Sequence, residues 1–434
     1  MGNVMSVIQH VLSLGVIVIP AILVHEFGHL LMAKVHGLHV KEFGVGFPPK
    51  ILTMFKWGET AFTLNALPLG GFVNLDEKGV DKELEGRFLE NQSTWVKTLV
   101  YLAGATANIA FVWLISVTLF LVGAPKTPFI VTGVTGESMF QMGDVILAMD
   151  GIEVNAFTSN YTFPNINTSD GSVDFMIERY GERLSLSIPA LSDTLSIEDL
   201  NVVVSPLPNL QIVEIDENQR AYQSGLRVGD VITHIDYRRV VGSEELSLAT
   251  SLLAGERADV SYLRDNQSYT INMIIPDQKA NEYWGAVFSN SYPTQRYSLL
   301  ESISRGTQYF AFSISEVLSL PESTISAEDE SMRPVGIIGL GQISVRVVEQ
   351  SIATRSLFGV LTLSIALNVS LGIFNLLPIP ILDGGEILLI WTEELMGRKM
   401  SEKIKSRIKM ASVIVLLVVF VGISLLDIFV PVFN

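Results

Sequence analysis

The segment ILVHEFGHLL (residues 22–31) sets two imidazoles and a carboxylate, those of His25, Glu26 and His29, inside an otherwise apolar run. His-Glu-x-x-His on a helix puts two imidazoles one turn apart on the same face, where both reach one zinc ion. The glutamate between them points near the same ion. It can take a proton from a water whose pKa zinc lowers from about 15.7 toward about 7. Uncompensated ionisable groups inside a membrane span are costly and mark function, so the spacing points to metal-assisted hydrolysis rather than to an incidental core helix.

A catalytic zinc takes three protein ligands and keeps one position open. Cysteine is absent, which excludes disulfides, thiolate nucleophiles and cysteine-based zinc sites. Six histidines are present. His36 and His39 fall in the loop after the motif, where a solvated role is the simpler reading. His10 lies toward the other end of the first apolar run, and His234 lies in a remote β-rich segment. Asp383, Glu386 and Asp427 remain among carboxylates near apolar stretches, and Asp383 is favoured because of the chain before it. In FNLLPIPILDGG (374–385), Pro378 and Pro380 lack N–H groups and break a helix, freeing carbonyls at membrane depth. Such backbone is tolerated only where it is buried in protein or lines a wet cavity. Asn375 supplies an amide able to bond an extended peptide, and Gly384 and Gly385 allow a tight turn that lets Asp383 face a metal.

The elements that must position these groups are membrane helices. Of 434 residues, 48% are hydrophobic and 17% charged, against roughly 25% charged in soluble proteins. Stretches 7–33, 98–123, 357–380 and 410–431 each reach the roughly 20 apolar residues that a crossing needs. The first run has neither a basic start nor a small-residue cleavage site, so no cleavable signal peptide is expected. Loop 34–97 carries eight Lys and Arg residues and loop 393–409 carries six, whereas residues 1–33 and 410–434 carry none. The positive-inside rule puts both loops in the cytoplasm. Both termini and the block 124–357 then lie outside. That block holds 30 acids against 15 bases, nearly all of the net charge of −16, and this argues against nucleic-acid binding, which needs a basic footprint.

The external block repeats. MGDVILAMDGIEV (142–154) matches VGDVITHIDYRRV (228–240) at an offset of 86 residues, and VDFMIERYGERLSLSI (173–188) resembles ADVSYLRDNQSYTINM (258–273). Each unit has a Gly-Asp turn, a β-rich run, a second turn and alternating strand residues. RAYQSGLRVGDVITHID (220–236) resembles the start of a bacterial PDZ domain, so PDZ-like domains are expected over 127–205 and 208–277. Apolar residues at helical spacing over 297–320 then read as an amphipathic helix within a 290–350 linker, lying on the outer membrane surface or against the PDZ pair.

HEFGH, NLLPIPILDGG and a PDZ pair between spans two and three together resemble the RseP-type site-2 proteases of bacteria, which are intramembrane zinc metalloproteases. The likeness covers essentially the whole chain. It implies that His25, His29 and Asp383 bind Zn²⁺, that Glu26 is the general base, and that Asn375, Pro378, Pro380 and Asn108 serve the substrate. LAGATANIAF (102–111) is similar to the family's second-span motif and keeps Gly104 and Asn108, but has Ala105 for proline and Ile109 for phenylalanine. Gly46-Phe47-Pro48 resembles a family Gly-Phe-Gly turn with proline in the last position.

The implied fold is a multi-pass α-helical membrane protein with four transmembrane helices, a membrane-associated β-hairpin and two periplasmic β-rich PDZ domains. Residues 1–123 would hold helices one and two with the hairpin from 34–97, and 355–434 helices three and four. GETAFTLNALPLGGFVNL (58–75) alternates like a strand, and an edge there pairs with an unwound substrate. The implied activity is a zinc endopeptidase of the bacterial inner membrane, working in the lipid bilayer in regulated intramembrane proteolysis. Its substrates would be single-pass membrane proteins: anti-sigma factors already trimmed outside, and remnant signal peptides. The PDZ pair would exclude bulky external domains. The other reading is a membrane-tethered PDZ scaffold with a non-catalytic zinc site, against which the intact Glu26 argues. A metal transporter needs a continuous polar path, which spans two and four do not supply.

Overall fold

The computed structural model describes residues 2–75, 85–156, 172–189, 200–265, 267–277, 283–326 and 335–429, with residues 2–11, 68–69, 244, 319–326 and 428 as backbone only. Parts of the 34–97 loop (76–84), of the first repeat unit (157–171 and 190–199) and of the 290–350 linker (327–334) lie outside the described residues.

Elements of five residues or more begin with helix α1 (Gly2–Val35), strands β1 (Glu42–Trp57) and β2 (Thr60–Asn74), and helix α2 (Thr94–Val122). Strands β3 (Phe129–Val134), β4 (Val145–Met149), β5 (Ser172–Arg179), β6 (Glu182–Pro189) and β7 (Val202–Pro206) follow. Next come β8 (Asn209–Ile215), β9 (Val231–Ile235), α3 (Ser243–Leu252), β10 (Arg257–Arg264), β11 (Gln267–Ile274) and β12 (Ala286–Ser291). Among the described residues that follow are helices α4 (Leu299–Ser326), α5 (Ile337–Thr354), α6 (Phe358–Asn375), α7 (Asp383–Met396) and α8 (Glu402–Phe429).

Among the described residues, four helical segments are long and apolar enough to cross a membrane: Leu12–Val35, Thr94–Val122, Phe358–Asn375 and Glu402–Asp427. They coincide with the four apolar runs, with physical differences at the ends. The third helix stops at Asn375 rather than near 380, because Pro378 and Pro380 cannot continue a helix. The fourth begins at Glu402 rather than near 410, since backbone hydrogen bonding carries on into the basic residues that an apolar count leaves out.

Two compact units form. In the one that holds residues 1–118, 306–349 and 359–434, α1 and α2 cross at small residues. A Cβ on Gly28 would overlap the Ala103 carbonyl and stand 2.7 Å from Ala107 Cβ. Close backbone approach through Gly and Ala is how helices associate where lipid removes the hydrophobic drive. The β1–β2 pair is folded over on itself. Residues 42–45 of β1 pair with 71–74 on one side and 61–64 on the other, and the second half of β1 pairs with the start of β2. The result is effectively four short strands with 71–74 at one edge. At the opposite edge Ile51, Leu52, Met54, Phe55 and Trp57 are exposed. Among the described contacts, α4 packs on α2: Gly306 lies against the Val117 backbone, and Trp113 Nε1 donates to Thr307 Oγ1 at 3.0 Å. Asp427, a candidate ligand by sequence, instead accepts the backbone N–H groups of Gly336 (3.2 Å) and Gly339 (2.8 Å) at the start of α5, a favourable place for a carboxylate.

The second unit holds two five-strand antiparallel paths in the same order, β6-β5-β4-β3-β7 and β11-β10-β9-β8-β12. The repeat extends to side chains. Asp144 and Asp230, in the matched Gly-Asp turns, are each buried and paired with an arginine at the end of the equivalent strand, Arg179 at 2.6 Å and Arg264 at 2.7 Å. Asp150 and Asp236 each accept a backbone N–H, from Asp174 and Asp259. The second sheet takes in β12, beyond the 277 boundary that the repeat implies. Its partner β8 is some 75 residues earlier in the chain, a pairing that local pattern does not reveal.

Candidate metal centre

The site is built by α1, α2, β2 and the turn into α7. On α1, His25 and His29 stand one turn apart with their rings edge to face, 4.8 Å between centroids, and each is 7% exposed. Asp383 begins α7, and the turn before it doubles back: Ile381 and Leu382 donate to the Ile379 carbonyl at 2.7 and 2.8 Å. A Cβ on Gly384 would overlap the Leu376 carbonyl and one on Gly385 the Ile379 carbonyl. Only glycine fits there, and the fold-back sends the Asp383 carboxylate toward α1.

Three atoms converge. Asp383 Oδ2 lies 3.0 Å from His25 Nε2 and 3.4 Å from His29 Nε2, and the two Nε2 atoms are 3.2 Å apart. This is the one His/Cys/Asp/Glu group able to hold a metal among the described residues. His29 Nδ1 faces the Val100 carbonyl oxygen on α2 at 2.8 Å. That partner assigns the proton to Nδ1 and leaves Nε2 as a lone pair, the usual outer arrangement of a metal-binding imidazole. Asp383 Oδ2 is buried beside both imidazoles, yet accepts no hydrogen bond. Lone pairs facing one another at this range repel unless a cation sits among them. A tetrahedral zinc with arms of about 2.0–2.1 Å has ligand–ligand edges of about 3.3 Å, which the three separations match. The residues present fit zinc.

These groups border a cavity of about 590 Å³. Glu26 is on its wall beside the histidines, Asn375 borders it from the end of α6, and Phe47, Gly70, Gly71 and Val73 border it from the hairpin. The hairpin comes close to α1 here, since a Cβ on Gly71 would stand 3.1 Å from Leu23 and 3.5 Å from Glu26 Cγ. Pro378 and Pro380 lie in the turn and are not among the cavity walls. Asn108 is fully buried on α2 outside the cavity, its amide without a hydrogen-bond partner. His39 bonds Glu59 at 3.0 Å, and Glu386 pairs with Lys409.

The Val100 carbonyl carries no side-chain signal in the sequence, and Gly104 stands there only as a remnant of the second-span motif. A Cβ on Gly104 would stand 2.5 Å from His29 Nε2 and 2.7 Å from His25 Cε1. The adjacent glycines 70 and 71 within a strand were the available sign of a close approach.

A sequence profile of Peptidase family M50 matches residues 11–419. A Borreliella burgdorferi protein described as "Putative zinc metalloprotease" is 26% identical over 426 residues, 92% of this chain and 92% of that protein. A Streptococcus pyogenes serotype M1 protein of the same description is 26% identical, covering 98% of this chain and 99% of its own. The Arabidopsis thaliana "Membrane metalloprotease ARASP, chloroplastic" is 25% identical over 98% of this chain and 79% of its own length.

Proposed function

This chain belongs to peptidase family M50 and is a zinc metallopeptidase, and we propose that it cleaves single-pass membrane proteins within or beside the lipid bilayer. The observation that carries this reading is the convergence of His25 Nε2, His29 Nε2 and Asp383 Oδ2, with Glu26 on the same cavity wall, on helices of membrane-crossing length.

In this reading His25, His29 and Asp383 hold the zinc. When bound, the metal supplies Lewis-acid polarisation and a lowered water pKa. Glu26 takes the proton from the attacking water and returns it to the leaving amine. The substrate poses a second problem, because a transmembrane helix hides its peptide bonds in i to i−4 hydrogen bonds. The 71–74 edge of the hairpin borders the cavity, so an unwound segment can add to the sheet there and regain backbone bonds. Asn375, across the cavity, bonds the same extended backbone. The exposed apolar edge from Ile51 to Trp57 suits lipid contact.

The two β domains serve as PDZ-like filters on the outer face of a bacterial inner membrane, passing anti-sigma-type substrates and signal-peptide remnants once their external domains are removed. In the second domain a groove of about 480 Å³ runs between α3 and the edge strand β12, a form that takes an extended segment.

The deciding experiment is reconstituted cleavage of a single-span substrate, with mass analysis of the products. Glu26→Gln is expected to keep zinc and lose cleavage, and a chelator to stop the unmodified protein. Turnover unchanged in Glu26→Gln overturns the mechanism. Zinc binding with no cleavage by the unmodified protein favours the scaffold.

A further inference from the structure

Asp383 and His29 belong to different helices, so their relation depends on how α7 sits on α2. Asp383 is in the first turn of α7, while the His29 ring is held by the Val100 carbonyl of α2. Two side-chain hydrogen bonds join these helices. Trp391 Nε1 donates to Thr98 Oγ1 at 3.1 Å, and Thr94 Oγ1 donates to Glu394 Oε2 at 2.7 Å. Thr94 and Thr98 are one turn apart on α2, and Trp391 and Glu394 one turn apart on α7, so each pair shares a face. Trp95 meets Trp391 edge to face at 5.1 Å. A single contact leaves a helix free to slide or roll. Two contacts a turn apart, with a ring packed beside them, remove both freedoms.

The hydroxyl that receives Trp391 is itself oriented, since Thr98 Oγ1 donates to the Thr94 carbonyl at 2.8 Å. On another side α8 grips α7 through Lys405 and Glu393 at 2.7 Å and through Lys409 and Glu386. The α2 side carries the registration, because α2 also holds His29 two residues beyond Thr98.

Resting on the zinc-protease reading, we propose that Trp391 is a positioning residue for the metal centre: through Thr98 it fixes the register of α7 on α2, and thereby the placement of Asp383 opposite His29. Trp391 is eight residues past Asp383, about 12 Å along the helix. It touches neither substrate nor metal and acts through the helix.

The test uses the full-length protein in detergent, loaded with Co²⁺ in place of zinc, whose visible absorption reports ligand geometry. Trp391→Phe keeps an aromatic ring and removes the N–H. Thr98→Val keeps the shape and removes the acceptor. Each is expected to weaken metal binding about tenfold in chelator competition, the low end for loss of an outer partner, and to shift the cobalt bands. Turnover should fall with KM little changed. Because both changes delete one bond, the double variant should be no worse than either single one. Variants that only melt earlier, with cobalt bands and metal affinity like the unmodified protein, overturn the proposal. An unmodified protein that binds cobalt but cuts nothing overturns the protease reading alone, and one that binds no cobalt overturns both.

Discussion

A Cβ placed on Gly104 of α2 would stand 2.5 Å from Nε2 of His29. The metal-facing nitrogen of one helix therefore rests on a gap left by a missing side chain on the next. The Gly28 crossing brings the helices together, and Gly104 keeps the space next to the imidazoles clear. Gly104→Ala is expected to push His29 out of line and weaken zinc binding by about 10–100-fold, comparable to losing an outer-shell partner. Zinc titration beside a thermal melt checks this. An alanine variant with full affinity would show that the clearance is not required.

Asp383→Asn keeps the side-chain size and removes the charge. Oδ2 lies within hydrogen-bonding distance of both imidazoles but accepts no bond, so the group is placed for a cation rather than for a donor. Metal affinity should drop by more than about tenfold, and peptide cleavage with it. Metal content and cleavage rate, measured on the same preparation, decide the matter.

Gly385→Ala tests the fold-back before α7. The added methyl meets the Ile379 carbonyl, which is backbone within a tight turn and has little room to yield. A stability loss of about 1–3 kcal/mol is expected for such overpacking, with loss of cleavage as Asp383 moves. Gly397, at φ 63 with open space around it, makes the control. Alanine there costs backbone strain of about 1 kcal/mol and should spare the metal.

In the second β domain, Arg264→Met leaves the Asp230 carboxylate, 1% exposed, without its bidentate partner. Orphaning a buried charge costs about 3–5 kcal/mol. The low end applies, about 3 kcal/mol, because the Arg264 side chain is 34% exposed and water already screens the pair. Hydrogen exchange across β9 and β10 in the full chain should rise accordingly. The matched change at Arg179, whose partner Asp144 is equally buried, should do the same in the first domain.

His234 gives this domain a pH dependence. Burial pushes its imidazole below the ordinary value, and the cross-strand Arg239 guanidinium pushes it further, with Glu178 opposing. The folded domain then holds fewer protons on this group than the unfolded chain does. Lowering the pH through the unfolded value of about 6.5 therefore favours unfolding, and the loss continues down to the depressed folded value. Protection at β9, corrected for the intrinsic slowing of amide exchange as the pH falls, should decrease between about pH 7 and 5.5, and His234→Gln should flatten that dependence.

Much of this protein was legible before any coordinates. Two imidazoles one turn apart in an apolar run required a helix, and four apolar stretches required four crossing-length helices. A repeat at an offset of 86 residues required two like β sheets. These follow from local periodicity, which the chain carries within short windows. The tertiary structure decided the rest. It brought Asp383 across more than 350 residues to the histidines, set Gly104 and the Val100 carbonyl against His29, and placed the hairpin's 71–74 edge on the cavity. It also left Asn108 buried away from the cavity, and Pro378 and Pro380 shaping the turn rather than lining it. Sequence spacing fixes which groups share a helix face. Which faces meet depends on packing among small residues and on bonds between distant backbones, and neither leaves a local pattern.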